Sequence, residues 1–364
     1  MHQIGCPVEE LDTPALCIDL DAFEANIAKM AALCREHGVQ WRPHSKAHKS
    51  PQIAQKLVEA GAIGVTCAKL SEAEVMAAGG IRDILVANQI AGSTKMRRLV
   101  NVARQCDLIV TIVHAGQVAS ISRAMADAGL NVRAIVEVDI GLHRGGVAPE
   151  QAVELGKIID AAPGITLSGI MGYEGHLLTI SDQEEKDRKI REALALLAQV
   201  RDHYVEAGLA CSIVSAGGTG SYATTMRCPG ITELQAGGLI FMDAFYRHRC
   251  NVTEFQHALK LYVTVVSRPA PNRAIVDAGR KAHFVDHQPS IVVGYEDSTR
   301  FTRLSAEHGE LELDEPARGL KIGDRLELIP GYSDMTNVLY NEFYGIRNGR
   351  LEVIWPLVGR GRLQ

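Results

Sequence analysis

Short apolar runs rich in β-branched residues alternate with longer stretches rich in Ala, Leu, Glu and Lys over the first two thirds of the chain. Eight runs recur in order: VQWRPHS, IGVTCAK, DILVANQ, LIVTIV, AIVEVDI, GIMGYEG, SIVSAGG and TELQAGG. Strands that alternate with helices indicate βαβ units with parallel pairing. Eight units in roughly 230 residues predict a closed (β/α)8 barrel, with an open doubly wound sheet as the alternative.

Two of the intervening stretches contain helix-boundary signals. SEAEVMAAGG offers Ser71 as an N-cap, with Glu74 three residues later and a glycine stop. A longer stretch from Ser181 has apolar positions at helical spacing and ends at Gly208. Both stretches are predicted to be helices.

The pattern changes near Phe255 to Ala258. Short runs separated by Gly, Pro, Asp and Asn then follow without a long helix: KLYVTVVSRP, RAIVDAG, PSIVVGYE, GELELDE, DRLELIPG and RLEVIWPL. Such runs predict a mostly antiparallel β domain. We therefore assign residues 13–255 to the barrel and residues 256–364 to a second domain.

Composition narrows the possible partners and location. The chain has 364 residues, 46% of them hydrophobic, with a net charge of -5. A net negative charge argues against a nucleic-acid partner, because such binding needs excess Lys and Arg. Neither a leader nor a run of roughly 18 apolar residues is visible, so we expect a cytoplasmic protein with no membrane partner. The eight cysteines form no CxxC pair, which favours buried thiols over a zinc site.

One segment concentrates positive charge. WRPHSKAHKS, residues 41–50, follows the first barrel run, and the carboxyl ends of barrel strands are where catalytic groups collect. Alternate residues of an extended strand share a face, so Arg42, His44 and Lys46 are expected to point together. The alternative is that the strand ends before Pro43 and leaves these charges in solvent.

Polar groups also follow the later strands: Glu137, Asp139, His143, Arg144, Tyr173, His176, Gly217, Gly218 and Thr219, with a second small-residue turn at Ala236 to Gly238. Glycine turns expose backbone N–H groups to phosphate. A phosphate cradle, a lysine and an arginine at one rim are the parts of a pyridoxal phosphate site. Arg42, His44, His48 and Lys49 are expected to surround that lysine and keep its amine nucleophilic.

At this point the chain resembles a known family. The segments DTPALCIDLDAFEANI, RPHSKAHKS, VDIGLHRGGV, GYEGH, SAGGTGSY, ELQAGGLIFMDAFY, VDAGRKA and SAEHGELEL are similar, in order, to the D-threonine aldolase and D-serine dehydratase family of fold type III pyridoxal-phosphate enzymes. The resemblance implies a barrel like that of alanine racemase. It also implies a β domain completed by residues 1–12 and a homodimer.

The resemblance assigns roles to residues of the cofactor site. It implies that Lys46 bonds covalently to pyridoxal 5'-phosphate, with Lys49 in support and His44 beside the cofactor. Arg144 or Tyr173 faces the pyridine nitrogen by the same likeness. The phosphate is assigned to Gly218, Thr219, Gly237 and Gly238.

One segment departs from the family pattern. The family has a His and, two residues later, a Cys or Asp that together hold a divalent metal; here PGYSDMTNVLY places Tyr332 and Asp334 at those positions. A carboxylate suits Mg or Mn, and without the imidazole such an ion needs other ligands or water. HFVDH offers His283, Asp286 and His287 as substitutes, although ordinary loop histidines are the favoured interpretation.

The expected reaction is retro-aldol cleavage of a small β-hydroxy-D-amino acid to glycine, or a related amino acid, and an aldehyde. His176 is the candidate base, because an imidazole accepts protons near neutral pH, and its alternative role is to orient the cofactor. Asp334, Tyr332 or a metal-bound water are the other candidate bases. Dehydration to a keto acid and ammonia is the second hypothesis, followed by racemisation and by a non-catalytic pyridoxal-phosphate carrier.

Overall fold

The structure is a computed structural model that describes residues 3–364. These residues form two compact units. One unit comprises Lys29–Gly237 and Gly361–Gln364, and the other comprises the described residues up to Ala28 with Gly238–Arg360. They are called the barrel unit and the β unit below.

The chain begins with strand β1 (Ala15–Asp19) and helix α1 (Leu20–His37). The side chain of Asp19 accepts a hydrogen bond from the backbone N–H of Ala22 at 3.1 Å, which caps the start of the helix. Gly38 follows the last helical residue with φ of +66°, a conformation that glycine adopts without steric cost. Local sequence therefore sets both ends of α1.

The barrel unit has one parallel sheet of eight strands. They are β2 (Gln40–Trp41), β3 (Val65–Cys67), β4 (Asp83–Val86), β5 (Asp107–Ile112), β6 (Val132–Glu137), β7 (Ile165–Met171), β8 (Ile213–Ala216) and β9 (Glu233–Leu234). Each overlaps one of the eight predicted runs, although β5, β6 and β7 begin before theirs. The spatial order is β2-β9-β8-β7-β6-β5-β4-β3. The N–H of Thr66 donates to the carbonyl of Pro43 at 3.0 Å, and His44 bridges Thr66, which joins the two ends of the sheet. The predicted barrel is confirmed.

Seven helices follow the barrel strands. They are α2 (Pro51–Glu59), α3 (Leu70–Ala78), α4 (Ser93–Ala103), α5 (Ala115–Asp127), α6 (Pro149–Asp160), α7 (Gln183–Glu206) and α8 (Tyr222–Thr225). Helix α7 ends at Glu206, two residues before the predicted stop at Gly208, which has φ of +73°. The predicted N-cap at Ser71 is wrong, because α3 begins one residue earlier. There the Glu72 carboxylate accepts from the backbone N–H of Lys69 at 3.1 Å.

The β unit adds two short helices and eight strands to β1. They are α9 (Ala244–His248), β10 (Leu259–Ala270), β11 (Arg273–Val276), β12 (Ile291–Val292), β13 (Thr299–Leu304), β14 (Gly309–Leu313), β15 (Arg325–Ile329), α10 (Ser333–Asn337), β16 (Glu342–Arg347) and β17 (Arg350–Pro356). The main order is β13-β14-β11-β10-β1-β16-β17, and β15 pairs with β10 and β12. All pairs are antiparallel except β1 with β16, as expected for a mostly antiparallel domain.

The structural division differs from the boundaries predicted at residues 12/13 and 255/256. Strand β1 lies within the range 13–255 that was assigned to the barrel. It belongs to the β unit, because its ladder hydrogen bonds are made with β10 and β16. Alternate residues of β10, including Leu261, Val263 and Val265, are buried in that unit's core. Within residues 3–364, no helix has both the length and the apolar composition needed to cross a bilayer.

Candidate active site

The cationic segment begins as β2 ends. The strand stops at Trp41, and Ser45–Ala47 form a 3-10 turn. His44 and Lys46 are both half-buried, and the backbone N–H of Lys46 donates to Nδ1 of His44 at 3.3 Å. The structure therefore brings the two predicted cofactor residues together at the carboxyl end of β2.

Arg42 does not join them. Its guanidinium is buried, lies 3.1 Å from Oε2 of Glu233 and pairs with Asp83. Both carboxylates are on the first residues of their strands, so the arginine points toward the amino ends of the barrel. The prediction that Arg42 shares a face with Lys46 is wrong, because two carboxylates satisfy the buried charge at the other end.

The charge of Lys49 is also paired with a carboxylate. Lys49 is buried, has φ of +51° and forms an ion pair with the buried carboxylate of Glu72. The charges of this segment are thus neither aligned on one face nor solvated.

The imidazole of His44 is held neutral. Its enclosure and the positive charges of Lys46, Lys49 and Arg144 keep the pKa of His44 well below its usual range. A neutral imidazole beside a lysine can accept a hydrogen bond or pack on a flat ring without adding charge.

Arg144 and Tyr173 come together at the rim. The guanidinium carbon of Arg144 lies 5.4 Å from the centre of the Tyr173 ring, within the range of a cation–π contact. Nη2 of Arg144 is 3.1 Å from Oε1 of Glu137, whose other oxygen accepts from Gln89. Glu137 is buried and ends β6, so it anchors the more exposed arginine.

Two glycine turns leave no room for side chains. A Cβ on Gly218 would lie 3.1 Å from the Tyr173 ring, and one on Gly237 would lie 2.4 Å from the carbonyl oxygen of His44. Thr219 is buried beside Gly218. Gly238 is buried too, but it belongs to the β unit.

Glu174 is a buried residue beneath the first turn that the sequence did not single out. Its Oε1 accepts from the hydroxyls of Ser221 at 2.5 Å and Thr225 at 2.8 Å. Ser221 Oγ in turn accepts from the N–H of Gly218 at 3.1 Å. Within residues 3–364, Oε2 of this carboxylate has no hydrogen-bond partner. The only signal in the sequence was an acidic residue between Tyr173 and Gly175.

His176 lies on the 3-10 turn Gly175–Leu177 and is exposed. Its Nε2 would be 2.9 Å from a Cβ on Gly141, so the ring packs on that glycine. His143, in the same loop as Gly141, is tied to Asp139 by a contact of 2.7 Å between Nδ1 and Oδ2.

These features of the barrel unit fit a cofactor that carries both an aldehyde and a phosphate. Lys46 supplies an amine, and His44 supplies a neutral ring. A Cβ would clash with the backbone at Gly237 and would crowd the Tyr173 ring at Gly218, as expected where a phosphate approaches the backbone closely.

Tyr332 and Asp334 lie in the β unit. The Tyr332 hydroxyl donates to Oδ2 of the buried Asp334 at 3.0 Å. Burial, with the nearby charge of Asp334, raises the pKa of Asp243 to about 7. The Asp243 carboxyl accepts from the N–H and hydroxyl of Ser333 at 2.8 and 2.7 Å.

The histidines offered as substitute metal ligands do not converge. His283 is buried, its Nδ1 lies 2.7 Å from the hydroxyl of Ser290, and burial lowers its pKa to about 4. Asp286 lies 3.3 Å from Arg280, and His287 packs against aromatic rings. Across residues 3–364, no group of three or more His, Cys, Asp and Glu side chains is placed to hold an ion. The donor set therefore does not fit a divalent metal.

Comparison with known proteins gives matches over almost the whole chain. The family model described as alanine racemase, N-terminal domain, matches residues 18–244, and a putative serine dehydratase domain matches residues 258–346. A 3-hydroxy-D-aspartate aldolase of Paracoccus denitrificans (strain Pd 1222) is 37% identical over 98% of this chain and 94% of its own. A D-threonine aldolase of Arthrobacter sp is 35% identical over 99% of this chain and 95% of its own. The crystal structure of D-threonine aldolase from Filomicrobium marinum superimposes with a TM-score of 0.96 at 34% identity, covering 100% of both chains.

Proposed function

The chain belongs to the family with an alanine racemase N-terminal domain, and we propose that it is a pyridoxal-phosphate-dependent lyase that cleaves β-hydroxy-D-amino acids into glycine, or a related amino acid, and an aldehyde. The observation that carries this proposal is the setting of Lys46. Its half-buried side chain is at the carboxyl end of a barrel strand, beside a neutral His44. Aldolase relatives at 37% and 35% identity support this reaction over dehydration, for which a dehydratase relative is 30% identical.

Lys46 is proposed to hold the cofactor aldehyde, with the remaining contacts from His44, Arg144, Tyr173, Gly218, Thr219, Gly237 and Gly238. When bound, pyridoxal phosphate supplies an electron-withdrawing ring that accepts the charge developing at the substrate Cα. The Glu137 carboxylate fixes the direction of the Arg144 guanidinium, and the Tyr173 ring limits its movement. The glycine turns are proposed to let the phosphate approach the backbone closely, with the N–H of Gly218 held by Oγ of Ser221.

His176 is proposed to accept the proton of the substrate β-hydroxyl. The Cα–Cβ bond then breaks, Cβ leaves as the aldehyde carbon, and Cα receives a proton to complete the amino acid product. An exposed imidazole at the rim suits this task, because histidine is the side chain that most often serves as a general base. Tyr332 and Asp334 are the alternative proton acceptors.

The proposal includes a homodimer in the cytoplasm. Dimerisation is implied by the family resemblance, and sedimentation velocity tests it directly. A reducing compartment is supported by the cysteines, because within residues 3–364 no disulfide joins any two of the eight.

A product assay tests the proposed reaction. Purified enzyme is incubated with D-threonine, D-phenylserine, D-3-hydroxyaspartate and D-serine, and aldehyde, keto acid and ammonia are measured separately. Aldehyde and glycine in equal amounts are expected from at least one D-substrate and from none with the Lys46→Ala variant. Ammonia with keto acid but no aldehyde identifies a dehydratase, and inversion alone identifies a racemase. Either result contradicts the proposal.

A further inference from the structure

The carboxylate of Asp334 is already engaged by a neighbour in its own segment. The phenol of Tyr332, two residues earlier, donates to its Oδ2 at 3.0 Å, and the carboxylate is only 8% exposed. An ion that bonded to this oxygen would have to displace the phenol. A neutral hydroxyl thus occupies the place where the family pattern has an imidazole ligand.

The surroundings of Tyr332 are aromatic. Its ring centre lies 5.3 Å from that of Phe245, 5.9 Å from that of Tyr246 and 6.0 Å from that of His287, with Phe284 at 6.5 Å. These separations are typical of packed aromatic pairs. The packing holds the phenol of Tyr332 in place.

The neighbouring carboxylate, that of Asp243, is hydrogen-bonded at two helix ends. Oδ1 of Asp243 accepts from the N–H of Tyr246 at 2.8 Å and thereby caps α9, while Oδ2 accepts both hydrogen bonds from Ser333 at the start of α10. Mg and Mn ions need several oxygen ligands. The β unit offers them Asp334, of which Oδ2 is hydrogen-bonded to a phenol, and Asp243, both oxygens of which cap helix ends.

We propose that Tyr332 excludes a divalent ion from this site by occupying the Asp334 carboxylate, so that the enzyme works without the metal that the family pattern implies. The claim that the enzyme works without a metal rests on the lyase function proposed above. The claim that Tyr332 excludes the ion concerns only ion binding and does not depend on catalysis. It predicts that replacing the phenol by an imidazole, which can itself bind the ion, converts the pair into an ion site.

A manganese titration tests whether Tyr332 excludes the ion. Free Mn²⁺ is followed by electron paramagnetic resonance as it is titrated into the holoenzyme and into its Asp334→Asn, Tyr332→His and Tyr332→His/Asp334→Asn variants. The unmodified protein and Asp334→Asn are expected to bind Mn²⁺ equally. Tyr332→His is expected to bind an additional ion that the double variant loses. Binding by the unmodified protein that Asp334→Asn abolishes would overturn the proposal, as would a Tyr332→His variant that binds no more than the unmodified protein.

Chelation tests whether the enzyme works without a metal. The holoenzyme is dialysed against EDTA, and aldehyde release is measured before and after Mn²⁺ or Mg²⁺ is added back. Unchanged kcat is expected at every stage, and loss of activity that an added ion restores would overturn the inference. If no substrate yields aldehyde, the lyase proposal fails, while the Mn²⁺ titration still decides whether Tyr332 excludes the ion.

Discussion

The carboxylate of Glu174 accepts a hydrogen bond from the Ser221 hydroxyl at 2.5 Å, and the same hydroxyl oxygen receives the N–H of Gly218. A buried acidic group thus fixes the glycine turn proposed to hold the phosphate. The phosphate itself is an anion, so Glu174 is expected to act through the shape of the turn and not through its charge.

Replacing this acid should weaken cofactor binding. Glu174→Gln keeps an oxygen acceptor but removes its charge, and a hydrogen bond to a charged group contributes about 1.5–3 kcal/mol against about 0.5–1.5 kcal/mol for a neutral pair. We expect the Kd for pyridoxal phosphate to rise about tenfold, which corresponds to about 1.4 kcal/mol. Absorbance titration of the apoenzyme measures this change. Glu184→Gln, at an exposed position in α7, is the matched control, and equal affinities of the two variants would argue against the positioning role.

Removal of the candidate base should affect turnover more than binding. For His176→Asn we expect kcat to fall by about 10²- to 10⁴-fold with a small change in KM, the range typical of a lost general base. His114→Asn is the control. That exposed histidine follows β5 at the same rim, and an Asn keeps its cap on the N–H of Gly116. A kcat for His176→Asn equal to that of the control would exclude this base.

The Arg42 network should matter for stability. Arg42→Met leaves the buried Glu233 carboxylate without its guanidinium partner, and breaking a buried ion pair costs about 3–5 kcal/mol. Arg98→Met removes a partly exposed pair with Glu74 and should cost about 1 kcal/mol or less. Midpoints of urea unfolding report the difference. Similar midpoints for the two variants would show that the buried network does not stabilise the barrel.

Acid should destabilise the barrel through His48. Burial, aided by the charge of Lys49, lowers the pKa of His48 to about 3 from an ordinary value of 6.5. The neutral imidazole therefore contributes stability that is fully present above pH 6.5 and is lost as the pH falls toward 3. The slope approaches about 1.4 kcal/mol per pH unit.

Thermal midpoints between pH 7 and pH 4 check this dependence. His48→Asn, which offers an oxygen to the N–H of Ser50 but does not titrate, is expected to show a shallower decline than the unmodified protein. His203→Asn, at an exposed position on α7, should leave the slope unchanged. Parallel curves for all three proteins would contradict the assignment.

The regular elements of this fold were easier to predict than the directions of its side chains. All eight barrel strands overlap the predicted runs, because strands buried on both faces need apolar sequence, although β7 begins at Ile165, four residues before its run. Strand β13 was missed, since Thr299–Leu304 is largely polar and mostly exposed, and β16 was missed as well. The orientation of Arg42 was wrong because strand alternation says nothing about carboxylates contributed by distant strands, here Asp83 and Glu233.

The central claim is that the amine of Lys46 bonds to pyridoxal phosphate. Borohydride reduction of the holoenzyme, followed by proteolysis and mass spectrometry, tests it most directly. The account predicts a pyridoxyl phosphate group on Lys46 and none on Lys49, which is paired with Glu72. A label on Lys49 or on any other lysine, with Lys46 unmodified, would contradict it.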